Sequence, residues 1–338
     1  MKILVTGGCG YIGAHTLVDL IENGFEVITV DNLSRSDTRL LEGVFKITGQ
    51  RLQNYPIDLC DAVETDSLFN QHPDLTGIIH FAAYKSVPES VANPLLYYHN
   101  NLASLVNILR AVEKFKIPHF IFSSSCSVYG NTEQLPVTEE SPLQKAESPY
   151  GNTKQIGEQI MADVAKVNPM SSFISLRYFN PVGAHPSAFI GELQESAENL
   201  VPIITQTAMG IRKTMTVFGN DYPTRDGSCV RDYVHVSDIA NAHTKALQYL
   251  IAQKNEQNYE VFNLGSGNGV TVLEAIKAFE QVSGQSLPYQ IGPRRDGDVV
   301  SIYSDNQKAT RLLGWQPRYS LAEMMLSAWK WQQVMNQK

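Results

Sequence analysis

The 338-residue chain reads as an α/β protein, a doubly wound parallel sheet with a smaller α/β substrate-binding domain. Three observations predict this. Short apolar runs recur without polar alternation, as strands buried on both faces require. Helix-period stretches separate those runs. A glycine-rich turn follows the first of them.

The strands expected first are residues 3–6, 26–30, 77–82 and 120–123. Between and around them, residues 14–23, 40–48, 61–71 and 95–115 carry helical periodicity. Residues 148–167 read as a further long helix and 172–177 as a further strand, with right-handed crossovers joining the units. From residue 180 the character changes. Gly, Pro and polar residues dominate 181–199 and 219–228, which read as pocket-shaping loops. Strand and helix signals return over 233–251 and 260–264. The expected division is therefore a cofactor-binding domain over 1–180, rejoined by segments near 233–264, and a smaller domain over 181–338. The last helix, residues 321–335, carries Trp329 and Trp331 and is expected on the surface of the fold.

Bulk composition narrows the function. Hydrophobic residues make up 43 % and charged residues 18 %, enough for a globular core. Net charge is −7 with no Lys/Arg run, which argues against a nucleic-acid partner. No segment approaches the roughly 18 apolar residues that span a bilayer. The four cysteines form no CxxC pair, so reduced thiols in the cytoplasm are expected rather than a metal site. The N-terminus shows no secretory pattern. His80, His119, His235 and His243 are scattered and read as core or supporting residues.

The turn GGCGYIG places Gly7, Gly10 and Gly13 between the first strand and the first helix. Glycine lets a turn tighten and its backbone approach a pyrophosphate, whose charge meets the helix N-terminus. A Rossmann-like dinucleotide site is the prediction, with Tyr11 and Ile12 in its wall. Asp31 lies 18 residues beyond Gly13, near the expected place for an acid that accepts from the adenosine ribose hydroxyls. Its carboxylate would repel the extra phosphate of NADP, so NAD is favoured, although Arg35 is close in sequence. Asn32 adjoins it. Asp31 could also serve only as a turn residue. Asp58, in IDLCD, would bind the adenine amine with Leu59 beside it, or would cap a helix. Phe81 and Ala82 close the fourth strand and are placed at the same site, with Ser123.

Tyr150 and Lys154 stand four apart in YGNTK, on one helical face, and no other of the 15 tyrosines has Lys at that spacing. Ser125 ends the serine triplet of the upstream run FSSSCSVYG, at the end of a strand. Hydride can leave a carbinol carbon only if the hydroxyl proton also leaves. A tyrosine acting as base near neutral pH must have its ordinary value near 10 lowered by roughly 2–3 pH units. An adjacent ammonium and a cationic nicotinamide can lower it. Ser125 would orient the hydroxyl.

These segments, with SVPES, NNLASL, LRYFNPVGAHPS, FGNDYPTRDGS, VRDYVHVSDIA, FNLGSG and GPRRDGD, closely resemble the UDP-glucose/UDP-galactose 4-epimerase family of extended short-chain dehydrogenases/reductases. The likeness runs over nearly the whole chain. It implies C4 epimerisation of UDP-galactose and UDP-glucose through a transient 4-keto sugar and bound NADH, usually in a homodimer. The resemblance adds Lys85, Asn100, Tyr178 and Phe179 to the NAD contacts. It assigns Lys85, Ser125, Tyr150, Asn180, Asn199, Leu200, Phe218, Arg231, Arg295 and Asp298 to the UDP-sugar. Ile302, four past Asp298, would gate N-acetylated sugars; an isoleucine is intermediate between the aromatics that exclude them and the small residues that admit them. Two segments depart from the family pattern: FAAYKSVPES, where Ala83 and Pro88 replace glycines, and GELQESAEN. Competing readings are a 4-epimerase of UDP-GlcNAc/UDP-GalNAc, a uronate epimerase or decarboxylase, and a non-catalytic NAD-binding regulator. A nucleotide-sugar 4,6-dehydratase needs an Asp–Glu pair where Cys126 and Ser127 stand.

Overall fold

Alternation along the first strand sets the layers. In β1 (Lys2–Thr6), Ile3 and Val5 point to one face of the sheet and Leu4 to the other, and all three are fully buried. Two helical layers are therefore needed. The computed structural model, which describes residues 1–193, 197–295 and 299–337, supplies both.

The strands that follow are β2 (Glu26–Val30), β3 (Asn54–Tyr55), β4 (Leu75–His80), β5 (His119–Ser125), β6 (Ser172–Tyr178), β7 (Asn180–Val182), β8 (Met215–Phe218), β9 (Val230–His235), β10 (Tyr259–Leu264), β11 (Gly269–Thr271) and β12 (Tyr289–Gly292). The helices are α1 (Tyr11–Glu22), α2 (Arg39–Thr48), α3 (Ala62–Gln71), α4 (Val87–Ala92), α5 (Pro94–Phe115), α6 (Pro149–Val167), α7 (Leu200–Ala208), α8 (Val236–Ile251), α9 (Val272–Ser283) and α10 (Leu321–Asn336).

Seven strands form one all-parallel sheet in the order β10-β6-β5-β4-β1-β2-β3. On one face α1, α2 and α8 bury Leu17, Leu20, Val44 and Leu247 against Ile3, Val5, Ile79 and Ile174. On the other, α3, α5 and α6 bury Phe69, Ile108, Val112 and Met161 against Leu4, Ile78, Phe120 and Phe173. Each such aliphatic or aromatic side chain contributes about 1.5–3 kcal/mol on burial. The chain reverses its direction across the sheet between β1 and β4. That is where doubly wound sheets open a crevice beyond the strands' carboxyl ends.

A second unit packs over that edge. The small sheets β11-β9-β7 and β12-β8 pack with α7, α9 and α10 around Ile204, Val217, Phe279 and Met325. Capping boxes start both later helices, Thr271 with Glu274 and Ser320 with Glu323.

The last helix departs from its expected place. Residues two apart on a helix point about 200° apart, so burying both tryptophans requires two cores. Trp329 packs edge-on to Phe279 in the second unit, with centroids 5.5 Å apart. Trp331 joins the core of the large sheet, and its indole N–H donates to Glu192 O at 2.9 Å. Helix α10 is thus a wedge between the units, not a surface attachment.

Candidate active site

A cleft of about 1490 Å3 runs along the carboxyl ends of the sheet. Its floor is the glycine turn. Gly7 has φ +70°, in the left-handed region, and a Cβ there would meet Ala82 N at 3.0 Å. A Cβ on Gly13 would lie 2.2 Å from Gly7 O, so this close crossing of the chain admits only glycine. Gly10 is the N-cap of α1 and makes no side-chain capping bond, and the first turn holds no acidic residue. The amides of Tyr11, Ile12 and Gly13 have no acceptor within the helix. They face the cleft as an anion-binding end.

Asp31 follows β2 on the adjoining wall. Its Oδ2 accepts from Cys9 N at 3.1 Å, and its Oδ1 accepts from Leu33 N at 3.0 Å and Ser36 Oγ at 2.6 Å. The carboxylate is held in place with lone pairs to spare. Asn32 Oδ1 is committed to its own turn, accepting from Ser34 N. Asp58 accepts from Cys60 N at 2.9 Å, while the cap of α3 is Asp61, which accepts from Val63 N and Glu64 N. Asp58 is therefore a turn residue at the cleft, not a helix cap.

The chemistry-bearing wall is built from β5 and α6. Strand alternation turns Ser123 and Ser125 to one side and Ser124 to the other. Ser148 caps α6 by accepting from Gly151 N at 3.1 Å, and Pro149 occupies the first turn. The helix thus begins where Tyr150 and Lys154 face the cleft. Lys154 Nζ donates to Ser123 O at 2.6 Å and sits 5.9 Å from the Tyr150 ring centroid. Burial pulls the ammonium down to about 7, with the Glu158 carboxylate opposing. Burial pushes the Tyr150 phenol up to about 12, opposed by its hydrogen bond with Ser125. The protein's own surroundings favour the neutral phenol. A further positive charge in the cleft would favour its ionised form.

Behind this wall lies a buried polar network. Arg177 donates to Glu158 through Nε at 2.9 Å and Nη2 at 2.6 Å, and through Nη1 to Tyr129 Oη at 2.9 Å. Ser124 Oγ donates to Glu158 Oε1 at 2.5 Å. This anchors the strand whose neighbouring serines face the cleft.

Every residue expected to contact the cofactor lines this one cleft, as do Asn180 and Asn199. Tyr178 is buried, with its hydroxyl 3.1 Å from His243 Nε2; Phe179 lies beside it. Lys85 Nζ pairs with Glu192 Oε1 at 3.0 Å, and Asn199 Nδ2 donates to that same oxygen at 3.2 Å. Asn180 Nδ2 donates to Asp232 O. Leu200, Phe218, Arg231, Arg295 and Ile302, also expected at the sugar nucleotide, stand outside the cleft lining. Leu200 opens α7 and packs on the second unit's core. The Arg295 guanidinium lies 4.7 Å from the Phe218 ring centroid at the end of β8. Arg231 Nη1 donates to Val299 O at 2.6 Å. Ile302 is buried among Val128, Tyr129, Val137 and Phe179. Asp298 lies outside the described residues. Sequence reading missed Glu192, Glu198, Trp331 and Gln332 in the cleft wall. Among the described residues no cluster could hold a metal ion and no helix is long and apolar enough to cross a membrane.

The glycine floor, the acid beyond β2 and the Ser–Tyr–Lys wall on an all-parallel sheet define an extended short-chain dehydrogenase/reductase. The family model described as GDP-mannose 4,6 dehydratase matches residues 4–327. The UDP-glucose 4-epimerase of Bacillus subtilis is 47 % identical, over 98 % of this chain and 97 % of its own length. A crystal structure of UDP-glucose-4-epimerase from Stenotrophomonas maltophila with bound NAD and formylated UDP-arabinopyranose superposes with a TM-score of 0.96 at 43 % identity, covering 100 % of this chain and 99 % of that one. The Bifidobacterium longum UDP-glucose 4-epimerase in complex with NAD+ and UDP gives 0.94 at 41 % identity, over 99 % and 98 % of the two chains. Within its class, the chain belongs to the UDP-glucose 4-epimerase family.

Proposed function

We propose that this protein interconverts UDP-galactose and UDP-glucose by inverting C4, with NAD held in the cleft. The observation that carries this is the Ser125–Tyr150–Lys154 wall facing the glycine turn across one cleft, in a chain whose full-length relatives are UDP-glucose 4-epimerases.

NAD, when bound, supplies the acceptor and donor of hydride at C4 and a positive charge beside Tyr150. Its pyrophosphate fits the amides of Tyr11, Ile12 and Gly13, and its adenosine ribose fits Asp31. Tyr150 takes the C4 hydroxyl proton and later returns it. Ser125 orients that hydroxyl through its Oγ. Lys154, fixed on Ser123 O, stabilises the phenolate. The 4-keto sugar turns about its diphosphate linkage, presents its other face and is reduced with C4 inverted. Retention of the ketone through that turn requires a firmly held nucleotide. We assign this hold to Asn180, Asn199, Leu200, Phe218, Arg231, Arg295 and Asp298. Guanidinium forks suit a diphosphate.

We further read residues 1–180, with 233–264, as the NAD domain and the rest as the UDP-sugar domain. Two copies pair through α5 and α6, where Leu95 and Leu96 of α5 and Val167 of α6 are exposed. All four cysteines are free thiols, in keeping with the cytoplasm. The test is conversion of UDP-galactose by the purified protein with no added NAD; inactivity with intact NAD binding would overturn the substrate assignment.

A further inference from the structure

The loop after β2 that carries Asp31 also brings two arginines to the cleft, Arg35 and Arg39. Each is committed to a carboxylate. Arg39 Nε pairs with Asp37 at 2.9 Å inside the loop. Arg35 reaches to the opposite wall, where Nη2 donates to Glu89 Oε1 on α4 at 2.6 Å. Its Cζ lies 5.0 Å from the Tyr84 ring centroid. Glu89 is braced in turn. Its Oε2 accepts from the hydroxyl of Tyr97, a fully buried side chain of α5, at 2.8 Å. Its backbone N–H is capped by Ser86 Oγ. Each of the two guanidinium groups is thus held by a carboxylate, Arg39 by Asp37 and Arg35 by Glu89.

A plain ribose needs only acceptors for its hydroxyls, and Asp31 supplies them. A ribose 2′-phosphate brings roughly −1.5 to −2 charges and calls for a guanidinium. Arg35 is the cation of this loop that spans the cleft, so where it points decides whether the site can accept that group. We propose that Glu89 is a cofactor-specificity residue, holding the Arg35 guanidinium on the far wall so that it cannot serve a 2′-phosphate, and so selecting NAD over NADP. This rests on the reading of the cleft as an NAD site with Asp31 at the adenosine ribose. The pair is partly exposed, at 55 % for Arg35 and 27 % for Glu89, so its effect is modest.

The experiment uses the holoenzyme in three forms: wild type, Glu89→Gln, and Glu89→Gln with Arg35→Met. Glutamine keeps the acceptor for Tyr97 while removing the charge. Each protein is exchanged to equilibrium with equimolar NAD and NADP and desalted, and the retained nucleotides are quantified by chromatography. The retained NADP:NAD ratio rises roughly two- to fivefold in Glu89→Gln and returns to the wild-type ratio in the double variant. An unchanged ratio in Glu89→Gln overturns the proposal. So does a rise that persists in the double variant, since the lost carboxylate alone would then account for it. Wild type that retains no dinucleotide would overturn the cofactor reading itself, and the proposal with it, and is told apart from both by the total nucleotide recovered.

Discussion

Lys154→Met separates what the fold wants from what the reaction needs. The ammonium is buried in α6 with one backbone acceptor, Ser123 O, and burial holds it near 7 instead of its ordinary 10.5. Here the folded value lies below the unfolded one. Lys154 therefore destabilises the fold in full below about pH 7, and the penalty is relieved as pH rises toward 10.5. Between those limits the unfolded chain binds the extra proton, so wild-type stability gains about 1.4 kcal/mol per pH unit from this group. From pH 7 to pH 9.5 that gain is on the order of 3 kcal/mol. Methionine fills the space without the charge but leaves Ser123 O without its donor, a cost of about 1–3 kcal/mol. The variant is accordingly more stable than wild type at pH 7, or near parity, and loses ground steadily as pH rises. Urea unfolding followed by tryptophan fluorescence at pH 7 and pH 9.5, at matched nucleotide occupancy, measures the difference. Turnover falls sharply at both. A stability difference that does not change with pH would refute the claim that Lys154 is held as a desolvated cation.

Other consequences follow from the same geometry. Tyr150→Phe removes the acid/base and lowers turnover about 10²–10⁴-fold while NAD and UDP still bind, as kcat with calorimetric binding would show. Gly13→Ala forces a Cβ to within 2.2 Å of Gly7 O, so the turn must shift; nucleotide retained after desalting drops markedly, and wild-type retention would refute the role of the turn. Ile302→Ala opens space beside Phe179 and Tyr129 and raises the kcat/KM ratio for UDP-GlcNAc over UDP-glucose; an unchanged ratio means Ile302 is not the gate. Arg177→Met leaves the Glu158 carboxylate buried without its bidentate partner and costs about 3–5 kcal/mol in urea unfolding at neutral pH.

Much of this was legible in the chain because it is written in local patterns. Continuous apolar strands announce a doubly covered sheet, and Ile3, Leu4 and Val5 serve its two faces. The glycine spacing and the four-residue step from Tyr150 to Lys154 each belong to one turn or one helix. What was not legible depends on distant pairing. Glu158 and Arg177 look like ordinary surface charges in sequence, yet β6 brings the arginine under α6 and buries both. Trp329 and Trp331 suggested a surface helix, because nothing local says that two separate cores meet there. Glu192 and Gln332 reach the cleft only through the packing of the second unit. Asp58 and Asp61 are both plausible caps three residues apart, and only the chain's path after β3 assigns the cap to Asp61.

On this reading the protein inverts C4 with a cofactor that it already holds and regenerates. The direct measurement is formation of UDP-glucose from UDP-galactose by the purified protein without added NAD, with UDP-GalNAc run in parallel. Sustained conversion to the equilibrium mixture, with no net NADH released, is the predicted result. Absence of conversion with or without added NAD, in protein that demonstrably binds NAD, would contradict the account.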